Sequence, residues 1–268
     1  MNDAVGPEPD EIPLAGGMGS GGAVVRVGDT VRRPLVAQTP AVEHFLAHLA
    51  ESGFTGSPRP LGRDHRGRCV LSWMEGDVAL PPFPSWVASD DALLSVAALQ
   101  RQMHTAARSY SPLPGAQWYR PNLTPAGGGS PVCHNDLCIE NVVFRDGSAS
   151  AFIDFDFAAP NDPLSDIAIA CRHWVPLKDP IDVTDGFAGV DQRRRFRLFC
   201  DEHRLTEAER SAVVAHGIDF LDRALATMRH LAESGPATYA AAWERGYPEQ
   251  NRRSHAWLCT QRDAGIAR

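Results

Sequence analysis

Lysine is almost absent from the sequence: Lys178 is the only one among 26 basic side chains. No two of the six cysteines form a C-x-x-C pair, which argues against a disulfide framework or a zinc site of the usual spacing. No apolar run approaches the roughly 18 residues of a membrane-spanning helix, and the acidic start of the chain lacks the features of a secretory signal. These absences predict a cytoplasmic protein without membrane contact.

A basic face is also missing. The formal net charge is −7 at pH 7, which argues against nucleic acid as the main partner because a phosphate backbone selects a basic surface. A hydrophobic fraction of 43% and a charged fraction of 22% are typical of an ordinary globular protein. With 268 residues, the chain is long enough for one large domain or for two lobes.

Strand-like and helical patterns divide the chain into two parts. Residues 1–11 are expected to be a flexible lead-in, and residues 12–76 are expected to form a first lobe with two hairpins and one helix. The helix pattern has Thr39 as its candidate cap and Gly53 as its stop. The proline-rich segment ALPPFPSW (79–86) is typical of a boundary between lobes. Residues 77–268 are expected to form a larger, mainly helical lobe.

Three segments of the second lobe have helical periodicity. They are residues 89–110, 162–175 and 206–234. Thr206 and Glu209 stand three residues apart at the start of the last segment, which is the spacing of a capping box. Two further short helices are expected to close the chain, and no segment repeats at a fixed period.

A glycine-rich loop stands near the start of the first lobe. Gly17, Gly19 and Gly22 follow the pattern G-x-G-x-x-G, with Ser20 inside the loop. A strand rather than a helix follows, which excludes the dinucleotide-binding form of this motif. Glycines here would let backbone N–H groups close over phosphates. The motif alone is weak, and a flexible turn is the alternative interpretation.

A second motif surrounds a predicted hairpin with polar side chains. Residues 141–144 and 151–155 are strand-like, and the turn RDGS (145–148) contains the Asp-Gly signal of a tight hairpin. This hairpin brings Asn141 and Asp154 opposite each other to within about one residue. Amide and carboxylate oxygens are ligands that suit Mg²⁺. Asp136 would then lie beside the metal pair and be free to accept a hydroxyl proton.

The order HNDL…N…IDFD (134–156) resembles the catalytic and metal loops of the aminoglycoside phosphotransferase and choline kinase family. The resemblance implies an α+β, two-lobed protein-kinase-like fold, with a small sheet-rich N-terminal lobe, a larger helical C-terminal lobe and the nucleotide between them. It also implies roles for individual residues. Asp136 would be the catalytic base, and Asn141 and Asp154 would bind Mg²⁺. His134 would brace the catalytic loop, and Asp166 would be a structural aspartate. Met74 would lie in the hinge that receives the purine base of the nucleotide, and the glycine loop would bind its phosphates.

The chain departs from the family pattern at one position. The family's phosphate-binding lysine should lie on the strand after the glycine loop, but that strand reads TVRRP (30–34). Arg33 is the candidate replacement, Arg32 is the alternative, and Glu43 on the following helix is the candidate partner. Arginine can hold phosphate oxygens as a bidentate fork, although its geometry differs from that of lysine. Either arginine could instead be a solvated charge at a strand edge.

The acceptor of the phosphoryl group is less well defined. Residues 136–191 contain eleven acidic and three basic side chains. The resulting negative field suits a cationic acceptor such as an aminoglycoside. The alternative is that these acidic side chains form a solvated surface. The block RRRFR (193–197) could instead meet an anionic or nucleoside-like acceptor. The sequence therefore predicts an ATP- or GTP-dependent kinase of a small-molecule hydroxyl, with antibiotic inactivation as the first interpretation. A metabolic kinase of the choline or homoserine type and a nucleotide-binding pseudo-enzyme are the alternatives.

Overall fold

The computed structural model describes residues 11–14, 24–119 and 131–268. The predicted phosphate-binding residues Gly17, Gly19, Ser20 and Gly22 lie outside the described residues, as does nearly all of the predicted lead-in.

Within residues 11–14 and 24–76, five strands form an antiparallel sheet in the order β1-β2-β3-β5-β4. The strands are β1 (Ile12–Pro13), β2 (Val25–Val27), β3 (Thr30–Arg33), β4 (Pro60–Arg63) and β5 (Cys69–Ser72). Gly28 turns the chain between β2 and β3 at a φ of +56°, in the left-handed region that glycine adopts without steric cost. Because side chains alternate along a strand, Arg32 and Arg33 of β3 point to opposite faces of the sheet.

One helix, α1 (Thr39–Glu51), lies between β3 and β4 in the sequence. Its buried face includes Val42, Phe45 and Leu49, as the helical spacing predicts. The predicted cap is wrong by one residue. Gln38 is the N-cap, and the Thr39 hydroxyl accepts a hydrogen bond from the Val36 N–H at 2.9 Å because the chain before the helix already turns there.

Within residues 77–119 and 131–268, the second lobe consists of six α-helices with two small sheets among them. The strands are β6 (Asp77–Val78), β7 (Val132–Cys133), β8 (Val142–Arg145), β9 (Ser148–Phe152) and β10 (Ala159–Pro160). The helices are α2 (Asp90–Ala107), α3 (Pro163–Trp174), α4 (Gln192–Glu202), α5 (Glu207–Ser234), α6 (Ala237–Glu244) and α7 (Tyr247–Asp263). The strands form a β6-β8-β9 sheet and a β10-β7 pair. The predicted capping box of Thr206 and Glu209 is present at the start of α5.

The two lobes meet where the first sheet ends. The last residue of the first sheet is Ser72, and Asp77–Val78 already pairs with β8 of the second lobe. Gly76 between them has a φ of +142°, and a Cβ at this position would overlap the carbonyl oxygen of Phe144. The chain can therefore cross between the lobes at this point only with a glycine.

The end of the chain differs from the expectation of two short helices. Helix α6 has 8 residues, but α7 has 17. The buried side of α7 includes Asn251, Ser254 and Leu258, so its apolar periodicity is too weak to show its length. No helix in residues 24–119 or 131–268 combines the length and the apolar character that crossing a bilayer requires.

Candidate active site

The β8–β9 hairpin has the predicted register. Val142 pairs with Phe152, and the Ile153 N–H donates to the Asn141 carbonyl oxygen at 2.9 Å. Asn141 therefore lies opposite Ile153, one residue from Asp154, which is the pairing to within about one residue that the sequence predicts. The Asp-Gly turn and the alternation of apolar residues together determine this pairing.

Asp136 lies in the loop between β7 and a short 3-10 helix (Ile139–Asn141). The Asn141 amide nitrogen donates to the Asp136 carboxylate at 3.0 Å and to its main-chain oxygen at 2.8 Å. Burial, together with the nearby charge of Asp154, raises the pKa of Asp136 to about 8. A carboxylate held in place with a raised pKa is a suitable acceptor for a hydroxyl proton.

His134 connects the loop of Asp136 to the segment of Asp154. Its buried ring places Nε2 at 2.9 Å from the Ile153 carbonyl oxygen, and the Asp136 N–H donates to its Nδ1 at 3.3 Å. Burial lowers the pKa of His134, so the ring is neutral, with its proton on Nε2, where both hydrogen bonds are satisfied. This is the position in which a residue that braces the catalytic loop would lie.

Asp166 holds the other side of the same loop. Its fully buried carboxylate accepts hydrogen bonds from the Asn135 N–H at 2.6 Å and from the Gln100 amide at 2.9 Å. His104 Nε2 lies 2.7 Å from the same carboxylate. Burial by itself raises the pKa of Asp166, but the hydrogen bonds from His104 and Gln100 hold this pKa below its usual value. Because Asn135 has a φ of +64°, the loop needs such an anchor to keep an unfavourable backbone conformation.

Replacing Asp166 by Asn should lower the free energy of unfolding by about 3 kcal/mol, because three donors, two on α2 and one in the catalytic loop, would lose a buried charged acceptor. Urea denaturation of the two proteins measures the difference. Asp146→Asn is the matched control, since Asp146 is an exposed turn residue with a φ of +52° that asparagine also adopts. Equal free energies of unfolding in the two variants would contradict the anchoring role.

Asp154 follows β9 in the left-handed region, with φ 60° and ψ 64°. Its Oδ1 is buried and makes no hydrogen bond to the described residues, although the side chain as a whole is 37% exposed. Asn141 uses its amide nitrogen on Asp136, and no hydrogen bond within the described residues uses its Oδ1. Two hard oxygen atoms that accept no hydrogen bond from the described residues fit a divalent cation such as Mg²⁺.

Arg33 reaches from the first lobe to this position. It donates a hydrogen bond to the Asp156 carboxylate, and its Nη2 lies 3.7 Å from Asp154 Oδ1. Arg32 points the other way, where it donates to the Thr30 hydroxyl. Of the two candidates for the missing lysine, Arg33 is therefore the one beside the predicted metal ligand.

The predicted ion pair between Arg33 and Glu43 is wrong. Glu43 is held instead by Arg63 of β4, whose Nη2 donates to Oε2 at 2.7 Å while its Nη1 donates to Oε1. The Cys69 thiol adds a contact at 2.9 Å. Although burial opposes it, the bonds from Arg63 and Cys69 lower the pKa of Glu43. The reason is geometric, because the bidentate fork of Arg63 uses both Glu43 oxygens and Arg33 is directed at Asp156.

Met74 lies between two anchored residues at the junction of the lobes. The Trp73 N–H donates to the Asp29 carbonyl oxygen at 2.9 Å, and Arg145 donates to the Glu75 carbonyl oxygen at 3.0 Å. The main-chain N–H and C=O of Met74 make no hydrogen bond to residues 11–14, 24–119 or 131–268. These two groups therefore fit the edge of a purine base.

The structure adds aromatic residues that no sequence motif indicated. Tyr239 of α6 lies close enough to Asp136 that burial, Tyr119 and the Asp136 carboxylate together raise the pKa of Tyr239. The Tyr119 ring packs on Phe157 at a centroid distance of 5.3 Å. Neither tyrosine belongs to a motif with a defined spacing from Asp136, so only the fold reveals that the two tyrosines are neighbours.

Comparison with known proteins agrees with this geometry. The model of the phosphotransferase enzyme family matches residues 116–199, the segment that contains Asp136, Asn141, Asp154 and Asp166. None of the curated proteins matches the sequence significantly.

Several solved structures have a similar fold. A choline/ethanolamine kinase family protein from Mesorhizobium loti is 19% identical over 98% of this chain and 94% of that chain, with a TM-score of 0.63. An aminoglycoside phosphotransferase from Streptomyces rimosus is 17% identical over 80% and 94%, with a TM-score of 0.53. An amicoumacin kinase is 13% identical over 92% and 89%, with a TM-score of 0.59.

At these identities the structural likeness establishes the fold, which is the predicted two-lobed protein-kinase-like fold. The family match covers the catalytic segment, residues 116–199. Together they confirm the resemblance inferred from the sequence and the enzyme class that it implied, a phosphotransferase.

Proposed function

We propose that the protein transfers the γ-phosphoryl group of ATP or GTP to a hydroxyl group of a small molecule. The observation that carries this proposal is the meeting of Asp136, Asn141 and Asp154 at one end of the β8–β9 hairpin, beside Arg33 of the first lobe. Similar structures hold AMP-PNP with Ca²⁺ in the amicoumacin kinase and GDP with kanamycin in an aminoglycoside phosphotransferase, which supports a nucleotide and a divalent cation here.

In this mechanism Asp136 accepts the proton of the acceptor hydroxyl while the hydroxyl oxygen bonds to the γ-phosphorus. The bond between that phosphorus and the bridging oxygen breaks, and the nucleoside diphosphate leaves. Asn141 and Asp154 would hold Mg²⁺, which neutralises charge on the phosphate oxygens when it is bound. Arg33 would place a further positive charge beside the phosphates, and the loop of Gly17, Gly19, Ser20 and Gly22 would offer backbone N–H groups to them.

Two biological roles suit this chemistry. Antibiotic inactivation would need an aminoglycoside-like or nucleoside-like acceptor, and the aminoglycoside phosphotransferase among the similar structures supports it. Phosphorylation of a metabolite of the choline or homoserine type is the second role, which the choline/ethanolamine kinase family structure supports. The cytoplasmic location expected from the sequence stays a prediction.

Replacing Arg33 by Met should weaken magnesium-nucleotide binding by about 10- to 100-fold, because a charge-assisted hydrogen bond contributes roughly 1.5–3 kcal/mol. Calorimetric titration of ATP and of GTP with Mg²⁺ measures this and also shows which nucleotide is preferred. If ATP and GTP both bound as tightly without Mg²⁺ as with it, the result would contradict the proposed site.

Arg32→Met is the matched control, since Arg32 lies on the same strand and contacts Thr30 and Asp64 on the opposite face. We expect it to bind nucleotide as the unchanged protein does. If Arg32→Met lost as much affinity for magnesium nucleotide as Arg33→Met, the role of the missing lysine would not belong to Arg33.

A further inference from the structure

Arg33 belongs to the first lobe but makes its ion pair in the second. It lies on β3, and its Nη2 atom donates a hydrogen bond to the carboxylate of Asp156 in the segment that follows β9. The Arg33 side chain is 17% exposed and the Asp156 side chain is 31% exposed. The contact is therefore shielded well enough to be stronger than a typical surface ion pair. We call Arg33 and Asp156 the interlobe pair.

Asp156 is held in place by the packing of its neighbour Phe155. The Phe155 ring is buried and lies against Phe45 of α1 at a centroid distance of 6.3 Å. It also lies against the ring of His134 in the catalytic loop at 4.5 Å. These contacts fix the segment against both lobes, so Asp156 offers a fixed carboxylate and not a mobile surface charge.

Glu43 of α1 cannot orient Arg33, although the sequence predicts that it does. Both Glu43 oxygens accept hydrogen bonds from Arg63, and Oε1 also contacts the Cys69 thiol. Cys69 is the residue of β5 that pairs with Arg33, so the engaged glutamate lies near Arg33 without serving it. The role expected of Glu43, holding the phosphate-binding cation, is left to Asp156.

Asp156 uses only one of the three guanidinium nitrogens of Arg33. Within residues 11–14, 24–119 and 131–268, the Nε and Nη1 atoms of Arg33 donate no hydrogen bond. A guanidinium has five N–H donors in a fixed plane. Arg33 therefore keeps donors that phosphate oxygens can accept from while Asp156 fixes the direction of its side chain.

The interlobe pair also determines how Arg33 stands to the predicted metal ligand. Arg33 Nη2 lies 3.7 Å from Asp154 Oδ1, the buried oxygen that accepts no hydrogen bond from the described residues. Without Asp156, a small rotation of Arg33 would bring Nη2 within hydrogen-bonding distance of that oxygen. Arg33 would then occupy the atom that fits Mg²⁺, and the cation would have to displace it.

We propose that Asp156 is a positioning residue that holds Arg33 beside the nucleotide phosphates and keeps it off Asp154, so that Asp154 stays available to Mg²⁺. This inference rests on the proposed function and adds a residue that acts through Arg33. The interlobe pair takes the place of the ion pair between strand and helix that the sequence predicts.

The test titrates Asp156→Asn with ATP and with GTP at a series of Mg²⁺ concentrations, by calorimetry on the full-length protein. The substitution keeps the size of the side chain and removes its charge. We expect the affinity for magnesium nucleotide to fall by at least about tenfold, the lower end of the effect of a charge-assisted hydrogen bond. Half-maximal binding should also need more Mg²⁺, whereas a pair that only joined the lobes would leave this Mg²⁺ dependence unchanged.

A double substitution shows whether Asp156 acts through Arg33. In protein that already carries Arg33→Met, Asp156→Asn should cause no further loss of magnesium-nucleotide affinity, because no guanidinium is left to position. The same loss with and without Arg33 would show that Asp156 binds the metal or the nucleotide by itself, and would overturn the proposal.

Asp90→Asn is the matched control. The Asp90 side chain is 39% exposed, and Arg194 of α4 binds its two oxygens through two hydrogen bonds. The substitution therefore breaks a comparable ion pair at the start of α2, and it should leave the nucleotide affinity and its Mg²⁺ dependence unchanged. Asp156→Ala is a second variant in case Asp156→Asn does not fold, which circular dichroism shows.

Magnesium-nucleotide affinity that is unchanged in Asp156→Asn would also overturn the proposal. Failure of the unchanged protein to bind ATP or GTP with Mg²⁺ would overturn the proposed function instead, so the two failures are distinguishable.

Discussion

Asp136→Ala is expected to slow phosphoryl transfer by about 10²- to 10⁴-fold, the range that a positioned general base contributes, while the affinity for magnesium nucleotide stays nearly unchanged. The reason is that Asp136 would contact the acceptor hydroxyl and not the phosphates. Asn141 keeps the main-chain oxygen of residue 136 as a partner after the substitution, so the loop should keep its conformation. A turnover assay beside calorimetric titration of the nucleotide measures both quantities.

Asp146→Asn is the control for this experiment, because it removes an exposed carboxylate from the turn of the same hairpin. It should leave both transfer and nucleotide affinity unchanged. Transfer by Asp136→Ala at the rate of the control would show that another group accepts the proton.

Asp154→Ala should weaken both magnesium-nucleotide binding and transfer, each by roughly a hundredfold, because a bound metal contributes several kcal/mol of charge neutralisation. Its Oδ1 atom is buried and lacks a hydrogen-bond partner among the described residues, as a metal ligand would before the metal binds. Calorimetric titrations should show that the variant binds the nucleotide with the same affinity in the presence and in the absence of Mg²⁺.

The comparison of Asp136→Ala with Asp154→Ala separates the two roles. The base should affect mainly the rate, and the metal ligand should affect both binding and rate. An equal loss of nucleotide affinity in both variants would mean that the roles are assigned to the wrong residues.

The hairpin that forms the site could be predicted because its signals are local. The Asp-Gly turn at residues 146–147 and the alternation of apolar residues specify the pairing of β8 with β9, and a pairing that is known to within one residue places Asn141 near Asp154. The capping box of Thr206 and Glu209 was predictable for the same reason, since three residues of spacing define it.

The ion pairs were harder to predict because they join distant segments. Arg33 binds Asp156, 123 positions away, and Glu43 binds Arg63 of another strand. The choice between these partners depends on the direction of each side chain and on which carboxylate oxygens already accept hydrogen bonds. The spacing of residues in the sequence gives neither piece of information.

The most direct test of the account is transfer itself. The unchanged protein is incubated with Mg²⁺, with ATP or GTP labelled in the γ-phosphate, and with a pool of hydroxylated antibiotics and metabolites, and the products are examined by mass spectrometry. We expect a compound that gains one labelled phosphoryl group with the unchanged protein and none with Asp136→Ala. Binding of the magnesium nucleotide without transfer of its γ-phosphoryl group to any compound in the pool would contradict the proposed function and favour a nucleotide-binding protein without catalysis.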